Sequence, residues 1–154
     1  MNADAPVQAL APNPWLVAGG ILSAVAAILH LAVIAGGPDW YRFFGAGEEM
    51  ARMAERGMLR PTLYTIAIAS ILAIWSAYAF SGAGLLPRLP LIRTALVAIS
   101  AVYLLRGLAP VPLALFRPNL LGAFALWSSL IVLVYGICYA VGTWRAWPIL
   151  STRS

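Results

Sequence analysis

The chain has 154 residues, a length suited to one domain, of which 62% are hydrophobic and only 10% charged, with a mean hydropathy of +0.88. A soluble domain carries about 25% charged residues, so this composition excludes an ordinary water-soluble fold and makes lipid the natural solvent. The net charge of +5 comes from arginine alone, since there is no lysine. These arginines stand singly near helix ends, without a basic cluster or aromatic-basic groove, which excludes nucleic acid and points to the lipid bilayer and its anionic headgroups as the partner.

Residues 1–14 carry three prolines and no periodic pattern, and read as a polar lead-in. They lack a basic n-region, and the apolar run that follows exceeds the about 7–15 residues of a signal-peptide core, so that run is read as a retained first span. It extends over 15–36, uncharged apart from His30, and Gly36-Gly37-Pro38 stops it. The loop Gly37–Arg60 holds four of the five acids, Asp39, Glu48, Glu49 and Glu55, together with Arg42, Arg52, Arg56 and Arg60. From Glu48 to Arg56 the acids lead, the arginines follow, and Gly57 stands where a C-cap belongs. That order, with the Glu48–Arg52 pair and with Met50, Met53 and Ala54 on one side, predicts a short amphipathic helix lying in the membrane interface. The two methionines are read as interface contacts and not as a copper site, because no His or Cys stands near them in sequence.

The second span covers 61–80, with Pro61 in its first turn, and Ser81-Gly82-Ala83-Gly84 with Pro87 and Pro90 makes the next turn. The third covers 91–109, with Arg93 and Arg106 near its ends, before Pro110 and Pro112 end or kink it. Arg117-Pro118-Asn119 opens the fourth span, 120–142, with Asn119 as N-cap. Trp144 and Trp147 follow at interface depth, and 148–154 form a polar tail. The predicted fold is therefore all-α: an integral membrane bundle of four antiparallel transmembrane helices, one membrane domain over 15–147, with both termini on one side. Tyr41-x-Phe43-x-Gly45-Ala46-Gly47 recurs as Tyr78-x-Phe80-x-Gly82-Ala83-Gly84. Chance in a Gly/Ala-rich chain accounts for this better than an inverted repeat.

Helices in lipid associate through small residues. On a helical wheel Gly19, Ser23, Ala26, His30 and Gly37 share one arc of the first span, which turns His30 inward. In the fourth span Gly122, Ala125, Ser129, Gly136, Ala140 and Thr143 make a second stripe, with Trp127 pointing away. The second span is two-faced, with Ala69, Ser70, Ala73 and Ala77 on one flank and Tyr64, Trp75 and Tyr78 on the other.

His30 lies about 9 Å below the long-loop surface at about 1.5 Å per residue. An ionisable group at that depth is a functional candidate, the alternative being a neutral imidazole bonded to a neighbouring helix. Arg106 returns to the same level, where it either snorkels to the interface or meets Asp39, Glu48 or Glu49. Helix direction puts His30, Asp39, Tyr41, Arg42, Glu48, Arg60, Tyr64, Tyr103 and Arg106 in one half of the membrane as a candidate ligand-binding set, with His30 the candidate acid/base residue. Trp75, Ser76, Tyr135 and Tyr139 fall in the other half.

No acid lies inside a span, which argues against a carboxylate proton relay. One His and one Cys, at opposite faces, do not make a tetrahedral zinc site, and Cys138 reads as a small buried hydrophobe. No phosphate loop, nucleophile elbow or dinucleotide fingerprint is present, so no metal or cofactor is indicated. Two functions fit: a non-enzymatic membrane module, either an accessory subunit or a homo-oligomer docking through its small-residue faces, or a protein that binds a small ligand or lipid headgroup, or acts on it as a membrane enzyme, in a His30/Arg106 pocket. A transporter working as a dimer fits less well. A bacterial-type inner membrane is the expected location. The arginine count is nearly balanced across the two faces, and cytoplasmic termini are weakly favoured because most long-loop arginines have acids beside them.

Overall fold

A computed structural model describes residues 11–116 and 122–151. The expected N-cap at Asn119, with Arg117, Pro118 and Arg153, lies outside the described residues. The elements in chain order are α1 (Pro14–Phe43), α2 (Glu48–Glu55), α3 (Leu59–Gly82), α4 (Ile92–Leu108), α5 (Pro110–Phe116) and α6 (Ala123–Ser151). Four helical stretches are long and apolar enough to cross a membrane: α1, α3, α4 continued by α5, and α6. The chain is an all-helical membrane protein with a short helix in its first loop.

Each helix begins and ends for a local reason. Asn13 caps α1, its Oδ1 accepting from the backbone N–H of Trp15 and Leu16, while Pro14 opens the first turn. The first span ends at Gly37, whose φ of 70° and ψ of −156° only glycine adopts readily, and the chain resumes as a helical turn through Pro38 to Phe43. The helix therefore outlasts the expected stop at Gly36-Gly37-Pro38 as a kinked extension toward the loop. Three ends close in the same way: Gly45, Gly57 and Gly84 all have positive φ, and the N–H groups at and after each turn back onto the preceding helical carbonyls. The echoed segments differ at their first glycine, where Gly45 has positive φ while its counterpart Gly82 is still helical, and agree at the last, Gly47 and Gly84 both having positive φ.

Pro110 and Pro112 do not end the third span, and Ala109 between α4 and α5 keeps right-handed helical backbone, φ −52° and ψ −35°. Their missing N–H groups interrupt the ladder at Ala109, and helix resumes through Phe116. At the other end α6 continues past Gly142 and through Pro148 to Ser151, so much of the expected polar tail is helical.

Packing follows small residues. α1 pairs with α3 and α4 with α6, and α1–α6 and α3–α4 contacts close the ring in up-down order. At Gly107 an added Cβ would stand 2.8 Å from the Leu133 Cα, so α4 and α6 touch backbone to backbone. Gly136 against Leu104 and Gly142 against Leu16 are similarly close. Gly19 and Ser23 of the first predicted stripe and Ser129, Gly136 and Thr143 of the second are buried, and Trp127 is exposed. On α3 the buried face, Thr65, Ala69, Leu72, Ser76 and Ala79, runs between the two flanks distinguished by sequence, leaving Ser70 and Ala73 exposed.

Candidate functional site

The candidate residues form two clusters, with His30 and Arg106 bonded separately. At the long-loop end, Arg42 gathers the acids. Its Nε donates to Glu48 at 3.0 Å, Nη2 to Glu55 at 2.6 Å and Nη1 to Asp39 at 3.2 Å. Glu48 also accepts from Arg52 Nε at 3.1 Å, the expected pair one turn along α2. The Arg42 and Arg52 guanidinium groups, through their hydrogen bonds and charge, hold the Glu48 carboxyl below its ordinary range. Beneath the clamp, Tyr41 is buried with Val33 and Ala51; Thr65 Oγ1 gives its proton to the Pro61 carbonyl at 2.8 Å, so the Tyr41 hydroxyl, 3.2 Å away, donates to Thr65 and ties α1 to α3. Arg42 and Tyr41 thus fold α2 over the ends of α1 and α3. Arg60 and Tyr64 are exposed.

The second cluster lies in the middle of the bundle. Ser23 Oγ lies 2.9 Å from the hydroxyls of both Tyr103 and Tyr139, and Tyr139 donates to the Trp75 carbonyl at 3.0 Å. Each hydroxyl has a single proton. Since Tyr139 spends its proton on a carbonyl, Ser23 must donate to Tyr139 and Tyr103 must donate to Ser23. The chain of hydrogen bonds runs in one direction, Tyr103 to Ser23 to Tyr139 to Trp75 carbonyl. Trp75 and Tyr135 meet the Tyr103 ring edge-on, with centroids 4.9 and 5.5 Å away. Tyr103 therefore joins the residues that helix direction put in the opposite half. Side chains lean toward the N-terminus of their helix, so Tyr103 on α4 and Tyr139 on the antiparallel α6 lean toward each other at mid-bundle.

His30 and Arg106 belong to neither cluster, and each has its own partner. His30 is half-buried and its Nδ1 lies 2.7 Å from the Ala26 carbonyl one turn back. A carbonyl only accepts, so Nδ1 carries a proton and Nε2 of the neutral ring keeps its lone pair. Arg106 Nη1 donates to Ser129 Oγ at 2.8 Å. Because neighbouring Gly107 packs on Leu133, Ser129 lies about one turn nearer the long loop, and Arg106 reaches outward in the manner of a snorkelling residue. Its partner is a hydroxyl and not a carboxylate, and of the acids expected to meet it Asp39 and Glu48 are held by Arg42.

Sequence reasoning passed over Asn13, Thr65 and the directional role of Tyr139. The Asn-Pro step before an apolar run is a helix-start signal that marks Asn13. Among the described residues no cluster of His, Cys, Asp and Glu is placed to hold a metal ion. No family model, curated protein or solved structure matches the chain. Fold and composition define the class: a polytopic α-helical membrane protein.

Proposed function

We propose that the protein is a non-enzymatic membrane module, a homo-oligomer or an accessory subunit, that works through contacts of its outer surface. One observation carries this reading: a groove of about 350 Å³ opens outward between α1 and α3, lined by Ala24, Ala27, Ile28, Leu31, Ala69, Ser70, Ala73 and Ser76. Small residues facing outward let a second helix approach closely, which is how spans associate where lipid removes the hydrophobic drive. Most inward polar groups, by contrast, already bond to one another or to backbone, as Ser23, Thr65, Ser76, Ser100, Tyr103 and Tyr139 do, while the buried Thr143 hydroxyl has no partner among the described residues. Native mass spectrometry in mild detergent, with disulfide trapping of Ala73→Cys in a Cys138→Ala background, tests it. An oligomer or a stoichiometric partner trapped through Ala73→Cys, but not through Trp127→Cys, is expected. A strictly monomeric species without co-purifying protein refutes it.

A second reading rests on the His30 Nε2 lone pair, fixed in tautomer by Ala26 and in the same half as Arg106. It describes a headgroup-binding pocket on the long-loop side. It requires a small polar molecule or headgroup that co-purifies with the wild type and is lost in both His30→Ala and Arg106→Gln.

A further inference from the structure

All the described acids, Asp39, Glu48, Glu49 and Glu55, belong to the long-loop end, where the ion pairs are made. At the termini end stand Arg88, Arg93 and Arg145, with no carboxylate partner among the described residues. Two of them frame a hollow of about 440 Å³ at the α3–α4 turn, lined by Arg88 through Thr94.

These two arginines are held in place by α6. Arg88 Nη2 donates to the Leu150 carbonyl, and the Arg93 guanidinium lies over the Trp147 ring, 4.2 Å from its centroid. A bond to one N–H and a stacked face leave the remaining guanidinium edges free to donate, while the side chains are already ordered. The turn is fixed as well: Ser81 Oγ donates to the Pro87 carbonyl and accepts from the Leu89 N–H, and the Tyr78 hydroxyl donates to the Pro90 carbonyl. α4 opens into the hollow behind Leu91, which supplies no side-chain cap, so the first N–H groups of that helix add to the same field. Trp144, Trp147 and the exposed Leu91 rim this end at the depth of a membrane interface.

We propose that this hollow binds a phosphate group, held by Arg88 and Arg93 and carried by an anionic phospholipid headgroup or by a soluble phosphate compound. Ordered guanidinium edges beside uncapped helix N–H groups, with no carboxylate partner among the described residues, match a phosphate's charge and its several acceptor oxygens.

The test uses the full-length protein in mild detergent. Native mass spectrometry counts bound lipid after incubation with mixed vesicles of phosphatidylglycerol in phosphatidylcholine, and thermal stability is followed against inorganic phosphate. Arg88→Gln/Arg93→Gln removes the donors. Thr94→Glu leaves both arginines in place and puts a carboxylate in the hollow, at a first-turn position where an acid favours the helix, so this variant folds. Arg56→Gln, at the other end, is the control. Selective retention of phosphatidylglycerol, falling about tenfold or more in both variants and unchanged in the control, identifies the lipid source. Stabilisation by inorganic phosphate that both variants abolish, without lipid selectivity, identifies a soluble one. Equal binding of the two lipids with no response to phosphate, or binding that survives Thr94→Glu, overturns the proposal.

Discussion

Gly107→Ala isolates the backbone contact between α4 and α6. The new methyl would stand 2.8 Å from the Leu133 Cα and 2.9 Å from its N. Carbon contacts are optimal near about 3.5–4.0 Å, so the helices must separate by roughly 0.7–1.2 Å. No rotamer change relieves this, because the obstacle is main chain. Overpacking of this kind costs about 1–3 kcal/mol. In water the better helix propensity of alanine would return up to about 1 kcal/mol. Spans that come apart in a membrane remain helical, which largely cancels that gain. The net loss expected is therefore about 1–3 kcal/mol, read from SDS-induced unfolding in mixed micelles. Gly20→Ala meets only the Phe80 ring, which can swing aside, and should lose less. Gly122→Ala faces open space and should stay within about 0.5 kcal/mol of wild type. A Gly107→Ala protein as stable as wild type, or an inverted order among the three, refutes the close-packed α4–α6 interface.

Tyr139→Phe removes two hydrogen bonds of the central chain while Ser23 keeps Tyr103, so a loss of about 0.6–1.7 kcal/mol is expected. Tyr135→Phe, whose hydroxyl has no protein partner among the described residues, should be near neutral in the same unfolding assay. The clamp on α2 should depend on pH. Glu48 is held below its ordinary pKa of 4.5 in the folded protein, so its contribution is complete above that value and is lost as pH falls through the lower, folded one. Hydrogen exchange of the α2 amides should accelerate over that acid range, and Glu48→Gln should flatten the response. An α2 whose protection is the same at pH about 3 and about 6 counts against the clamp.

The spans were legible because a membrane imposes a length and a composition on each helix, and both are properties of contiguous sequence. The inward faces were partly legible for a related reason: Gly19, Ser23, Ser129 and Gly136 are small, and close packing in lipid selects small residues. On α3 the rule could not choose a face, since outward-facing Ser70 and Ala73 are as small as buried Ala69. The division of polar residues by depth failed at Tyr103, because level along the chain marks the Cα, whereas a tyrosine hydroxyl sits about 6 Å away in the direction its helix dictates. Arg42 collecting three acids was not evident either. Its partners are drawn from the kinked end of α1 and from α2, and only the glycine turn at Gly45 brings these together.

Asn13 caps α1, accepts no competing role there, and sends its side-chain Nδ2 to the Gly142 carbonyl at 2.8 Å while its backbone N–H reaches the Ala83 carbonyl. Three helices converge on one residue synthesised before any of them. As the chain emerges, α1 can form and α3 can return to it, but the amide of Asn13 finds its last acceptor only when α6 has crossed. A bundle with a missing or misplaced fourth span would carry an unsatisfied amide at its first helix start, and Asn13 thereby registers whether the final helix has arrived.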